Sequence, residues 1–236
     1  MTTDIKPWGL FSTFLLGAIA LVVSQLAGVA ALIEWYGFEV RNVGGMTQHG
    51  GAIVLFMFVT APVQLIMLFL AAGAKGRVVD YLGYQIPTRG EVIFSLTVLF
   101  VMIAIGDAVS WLAGRGVVDR FQTDIYESAK GVGALSLLVL AIAVLVPMSE
   151  ETLFRGFLMR GWLRPQKSPW PAILATAGLF AIIHVQYDWF LILQVFAFGV
   201  FFGWTRWATG STILTMMLHT LVNLEGMLET YLTLNS

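Results

Sequence analysis

Apolar stretches alternate with short polar connectors along the whole chain, at roughly 10–33, 51–74, 91–113, 133–150, 170–187, 189–207 and 211–234. Each can form a helix that crosses a hydrocarbon core ~30 Å thick, which takes about 20 residues. The pattern therefore predicts an all-α polytopic membrane fold with about seven transmembrane helices in one bundle. Eight is the alternative count, because "WATGS" at 207–211 is a very short connection and the last stretch holds Glu225 and Glu229. The connectors "VRNVGGMTQHGG" (40–51), "KGRVVDYLGYQIPTRGE" (75–91) and "GRGVVDRFQTDIYESAKG" (114–131) have turn chemistry and are too short for a second folded unit. No internal repeat or low-complexity segment interrupts residues 1–236, which read as a single membrane-embedded domain.

Composition agrees with the pattern. Hydrophobic residues make up 58% of the chain and charged ones 11%, against the roughly 25% charged residues usual in soluble domains. With 13 basic and 14 acidic side chains, nothing in the balance points to nucleic acid, and the expected surroundings are the lipid bilayer. The absence of cysteine excludes disulfides and thiolate ligands, so a metal would need His, Asp or Glu. The first apolar run has no small-residue cleavage site and reads as a retained span. A cytoplasmic N-terminus gathers Lys6, Lys75, Arg77, Arg89, Arg155, Arg160, Arg164, Lys167 and Arg206 on one side, against Arg41, Arg115, Arg120 and Lys130 on the other. Nine against four favours that orientation.

Ionisable residues inside a membrane are costly, so each one is a candidate for function. The stretch "PMSEETLFRGFL" places Glu150 and Glu151 together in an apolar segment. On a helix Glu151 and Arg155 are one turn apart and suit an ion pair, whereas Glu150 is turned by about 100° and faces elsewhere. "FAIIH" (Phe180 to His184) and "HTLVN" (His219 to Asn223) each put their end residues on one helix face. Pro165, Pro169 and Pro171 break the chain between the first two sets, so the helices before and after them form a hairpin near Lys167 that brings Glu150 level with His184. Structural roles also account for single members: a hydrogen-bonded core histidine for His184 or His219, and a bridge between helices for Asn223. Asp107 suits a structural or proton-linked role, and His49 a loop in water. Gly199 and Gly203 are spaced for close helix contact.

A carboxylate and an imidazole within reach of one water can take its proton and direct it at a carbonyl. A second imidazole and an amide can then donate to the oxyanion. Glu150, His184, His219 and Asn223 therefore supply the parts of amide hydrolysis. Two histidines and a glutamate (Glu150, His184, His219) could alternatively hold zinc with an activated water. The chain has no H-E-x-x-H helix, no complete GxGD motif at Asp107 and no framed nucleophilic serine. A small-solute transporter would use buried Glu and His as proton relays, but the inverted repeats of such folds are missing.

Taken in order, "PMSEETLFRGFL", "FAIIH" and "HTLVN" resemble the EExxxR, FxxxH and HxxxN motifs of the CPBP family, the CAAX-protease and bacteriocin-processing (Abi) group that includes the type II CAAX prenyl endopeptidases. The resemblance covers residues 147–223, within an expected catalytic core of about 133–234. It implies an intramembrane endopeptidase acting on a membrane-associated protein or peptide, prenylated at a CAAX-type terminus in some members, in the plasma membrane of a prokaryote. Glu150 and His184 would activate water, His219 and Asn223 would form the oxyanion hole, and Glu151, Arg155 and Phe180 would support them. No cofactor is required in this version, with zinc as the alternative, and the metal-free form is preferred because Asn is a poor zinc ligand and a good donor. Other members of the group imply a second possibility, a non-enzymatic scaffold or bacteriocin-immunity protein that binds a membrane partner through the same cavity. Neither the oligomeric state nor the substrate follows from these motifs.

Overall fold

Among the described residues, 6–37 and 49–235 of a computed structural model, all regular structure is helical. The helices are α1 (Leu10–Tyr36), α2 (Gly50–Gly73), α3 (Val78–Leu82), α4 (Arg89–Leu112), α5 (Arg120–Gly131), α6 (Leu135–Trp162), α7 (Trp170–Ile182), α8 (Trp189–Thr209) and α9 (Thr212–Asn235). Helices α1, α2, α4, α6 and α8, five in all, are long and apolar enough to cross a membrane. Helix α9 has 24 residues but is more polar, and α7 has only 13. The protein is an integral membrane protein of all-α class. Most of the connector at 40–51 lies outside the described residues, as does Arg41.

Three elements differ from the expected pattern for local reasons. Helix α6 continues past residue 150 to Trp162, ending where Leu163 turns extended just before the Arg164–Pro165 step. Helix α7 stops at Ile182 rather than 187, because the His184 side chain takes the Phe180 carbonyl that its main-chain N–H would bond in a continuing helix. That N–H turns back to Ala181 O instead. The connector at 114–131 folds into α5, started by a capping box in which Asp119 and Gln122 satisfy each other's main-chain N–H groups. Phe121, Ile125 and Ala129, one turn apart each, give α5 an apolar face against α2 and α9.

Helix α6 is the centre of the bundle, packed against α1, α2, α3, α5, α7, α8 and α9. It is not a regular α-helix. Val146 N–H bonds Ala141 O and Met159 N–H bonds Phe154 O, five residues back in both cases, so two π-helical segments bracket Glu150 and Glu151. Pro147 sits between them with no N–H for the carbonyls of Ala143 or Ile142, four and five residues behind. Those carbonyls are taken from outside: Thr220 Oγ1 donates to Ala143 O (2.6 Å) and Asn223 Nδ2 to Ile142 O (2.8 Å). Helix α9 thus completes the hydrogen bonding of α6 at its proline.

Gly199 and Gly203 do make a helix contact, within the chain. They lay α8 on Ala177, Phe180 and Ile173 of α7, where a Cβ at either glycine would come within 3.1 Å of a side chain. The loop after α3 is held at the opposite end of the bundle, where Thr212 Oγ1 donates to Leu82 O (2.5 Å) and accepts from Arg206 Nε (2.9 Å).

Candidate active site

Helices α6, α7 and α9 and the turn after α7 bring Glu150, His184, His219 and Asn223 to the wall of one cavity of about 900 Å³. The rest of that wall is largely apolar, with Ile103, Phe121, Leu191 and Phe198 among its side chains. Glu151 and Arg155 lie behind it and are fully buried.

The two adjacent glutamates are held differently. Glu151 Oε1 accepts from Arg155 Nη1 (2.9 Å), the one-turn ion pair expected from the spacing. The same oxygen is 3.0 Å from His219 Nδ1, a partner that spacing along one helix cannot reveal. Arg155 also donates from Nη2 to Gly199 O (2.9 Å), so one guanidinium ties α6 to α8. Glu150 faces the cavity, and its Oε2 has no hydrogen-bond partner and lies 3.9 Å from His219 Nε2. A carboxylate oxygen shielded from water and left unbonded is the kind of group that a bound molecule completes.

Both imidazoles are fixed through Nδ1. A carbonyl can only accept, so His184 Nδ1 carries its hydrogen and donates to Phe180 O (2.7 Å), which leaves Nε2 as the free nitrogen. His219 donates from Nδ1 to the Glu151 carboxylate, again leaving Nε2, directed towards Glu150. Phe180 sits between them, edge-on to His184 (4.8 Å between ring centres) and to His219 (5.6 Å), with the Arg155 guanidinium 4.6 Å over its face. Its ring sets the spacing of all three groups. Tyr187 stacks on the far side of His184 (6.0 Å, 15°) and also lines the cavity.

The turn that holds His184 is tied down at its end. Asp188 caps α8 by accepting from the N–H groups of Phe190 and Leu191, and its other oxygen accepts from Arg115 Nη2 at 2.6 Å. Accordingly its carboxyl is held below the usual carboxylate range, chiefly by the Leu191 N–H and then by Arg115.

Asp107 meets Glu225 and Glu229 on the same cavity wall, their ligand atoms all within 4.8 Å of one another. Spacing along the chain does not connect these acids, which come from α4 and α9. Among the described residues no other group of three His, Asp or Glu is so close. The donor set of Glu150, His184 and His219 nevertheless suits zinc in kind: two imidazole Nε2 atoms, each anchored through Nδ1, and an unbonded carboxylate oxygen.

Membrane-spanning helices around a cavity with a carboxylate, two anchored imidazoles and an amide define an integral membrane protein with a buried polar centre. Residues 132–224, which contain every one of these groups, match the family described as Type II CAAX prenyl endopeptidase Rce1-like. This agrees with the resemblance of the three motifs. Two curated relatives are similar over part of their length. The "Uncharacterized 24.3 kDa protein" of Escherichia coli is 32% identical over 112 residues, 47% of this chain and 51% of that protein. The "UPF0177 protein YxdF" of Lactococcus lactis subsp. lactis (strain IL1403) is 31% identical over 85 residues, 36% of this chain and 45% of that protein. The chain thus spans about half the length of the curated relatives it matches. No solved structure matches it.

Proposed function

We propose that the protein is an intramembrane endopeptidase, hydrolysing a peptide bond of a membrane-associated protein or peptide, with a prenylated CAAX-type terminus as one substrate class. The observation behind this reading is the convergence of Glu150, His184, His219 and Asn223 on one largely apolar cavity. The family at residues 132–224 supports it at the level of a CAAX-type protease.

In this mechanism a water sits between the Glu150 carboxylate and His184 Nε2. Glu150 takes a proton as the water oxygen attacks the peptide carbonyl, giving a tetrahedral intermediate. Its oxyanion accepts from the Asn223 amide and from His219 Nε2. Asn223 has a second amide hydrogen to give beyond the one on Ile142 O. Donating from Nε2 while Nδ1 donates to Glu151 uses both ring N–H groups of His219, so this step takes the imidazolium form. The proton on Glu150 then passes to the leaving nitrogen as the C–N bond breaks. A zinc ion, if bound, would be held by Glu150, His184 and His219 and would supply an acidified water. The membrane is taken as a prokaryotic plasma membrane with the N-terminus in the cytoplasm.

The test uses the full chain in proteoliposomes with a fluorogenic CAAX peptide, farnesylated or not. Glu150→Gln and His184→Ala should each lower turnover by roughly 10²–10⁴-fold, the usual worth of a general base, with the fold intact. Cleavage retained in both variants would end the reading. A cellular phenotype that survives Glu150→Gln would support the scaffold or immunity alternative.

A further inference from the structure

Glu150 stands on a helix interrupted by a proline and two π-helical segments. A helix with such defects has main-chain carbonyls that lack their regular partners, and its register is soft there. Three side chains from neighbouring helices donate to main-chain carbonyls of this stretch, two of them behind Pro147 and the third to Ser149 O, which also accepts from Thr152 N–H. Thr220 and Asn223 of α9 donate to Ala143 O and Ile142 O, behind Pro147. Gln64 of α2 donates from Nε2 to Ser149 O (3.0 Å), the carbonyl immediately before Glu150. Gln64 is a polar residue buried to 4% exposure within a helix of otherwise apolar character, and it has no place in the chemistry above. Its other end is only loosely held, 3.4 Å from Ser24 Oγ, whose hydrogen is closer to Leu21 O (2.7 Å).

From this arrangement we infer that Gln64 and Thr220 are positioning residues: a collar of side-chain donors, which replaces hydrogen bonds lost at Pro147 and adds one at Ser149 O, sets the register of Glu150 against His184 and His219. The collar rests on the hydrolytic reading for its consequence in turnover, but not for its effect on where Glu150 sits. Gln64 lines the cavity and Thr220 does not, and each acts on α6 through a main-chain carbonyl. A helix free to move by a fraction of an ångström would still bind substrate, but would present Glu150 off line to its water. Losses of this kind fall on kcat and leave KM alone.

The experiment compares Gln64→Met and Thr220→Val, each of similar size without the donor, with Ser24→Ala as control. Both collar variants should lower kcat by roughly 10- to 100-fold with KM within about twofold of the parent. Ser24→Ala should stay near the parent, and Thr220→Ser, which keeps the hydroxyl, should restore turnover. The second readout is the infrared carboxyl band of Glu150, identified by its loss in Glu150→Gln, which should shift in both collar variants and not in Ser24→Ala. A raised KM with unchanged kcat, or an unmoved Glu150 band, overturns the inference. Should the parent protein cleave nothing, the proteolytic reading falls by itself, and the Glu150 band still decides whether the collar positions that residue.

Discussion

His219 bridges the two adjacent glutamates: its Nδ1 is 3.0 Å from Glu151 Oε1 and its Nε2 is 3.9 Å from Glu150 Oε2. The first of these contacts shares its oxygen with Arg155, so Glu151 both neutralises a buried guanidinium and orients an imidazole. Glu151→Gln removes the carboxylate bonded to the buried Arg155 guanidinium, and removing one partner of such a pair costs about 3–5 kcal/mol. The expected result is a lower unfolding midpoint in detergent together with loss of cleavage. Replacing both partners, Glu151→Gln with Arg155→Met, should recover most of the stability, because no charge is stranded. Cleavage should not return, since His219 still lacks its carboxylate. Recovery of both properties together would mean that Glu151 serves only the ion pair.

The turn holding His184 ends on Asp188, whose carboxyl is bound by two N–H groups and by Arg115. Its folded-state pKa lies below the unfolded value of about 3.9. The sign follows from linkage: the charged form is favoured by folding, so the contribution is present above the unfolded value and is lost as pH falls through the lower folded one. Asp188→Asn should therefore reduce the unfolding midpoint at pH 7, and the difference from the parent should shrink as the buffer is taken into the acid range. Salt should shrink the Arg115 part of it, because the pair is about 40% exposed on each side. A difference that stays constant with pH would show that the cap works through shape alone.

Local geometry made part of this site legible in the sequence. The Glu151–Arg155 pair and the divergence of Glu150 follow from helical spacing, and the seven apolar stretches all correspond to helices. What the pattern could not give is competition between side chain and main chain. His184 ends its own helix by taking the Phe180 carbonyl, so the residue expected inside a span stands in a turn at the cavity. The second partner of Glu151 and the meeting of Asp107 with Glu225 and Glu229 depend on how helices far apart in the chain are stacked. The irregularity of α6 had a signal in Pro147, but its remedy lies on α9. Helix α5 had one too, in Asp119 with Gln122 and an apolar residue every fourth position, hidden by its charged surface.

The site's donors match zinc in kind but are spaced more widely than the ion requires. Ligands at the ~2.0–2.1 Å typical of zinc would stand roughly 3.3 Å apart around a tetrahedral ion. His219 Nε2 and Glu150 Oε2 are 3.9 Å apart, and Asn223, the fourth member, is a poor ligand already bonded to Ile142 O. The water-activating role proposed for Glu150 needs only proton transfer, and the expected result is that cleavage in proteoliposomes survives 1,10-phenanthroline with kcat unchanged. Elemental analysis of the purified protein supplies the independent check. Zinc at one equivalent, lost with activity on chelation and absent from His219→Ala but retained in Asp107→Asn, would assign an ion to Glu150, His184 and His219 and replace the metal-free mechanism. Zinc retained in His219→Ala and lost in Asp107→Asn would place it at the Asp107, Glu225 and Glu229 cluster instead, away from the water that Glu150 activates.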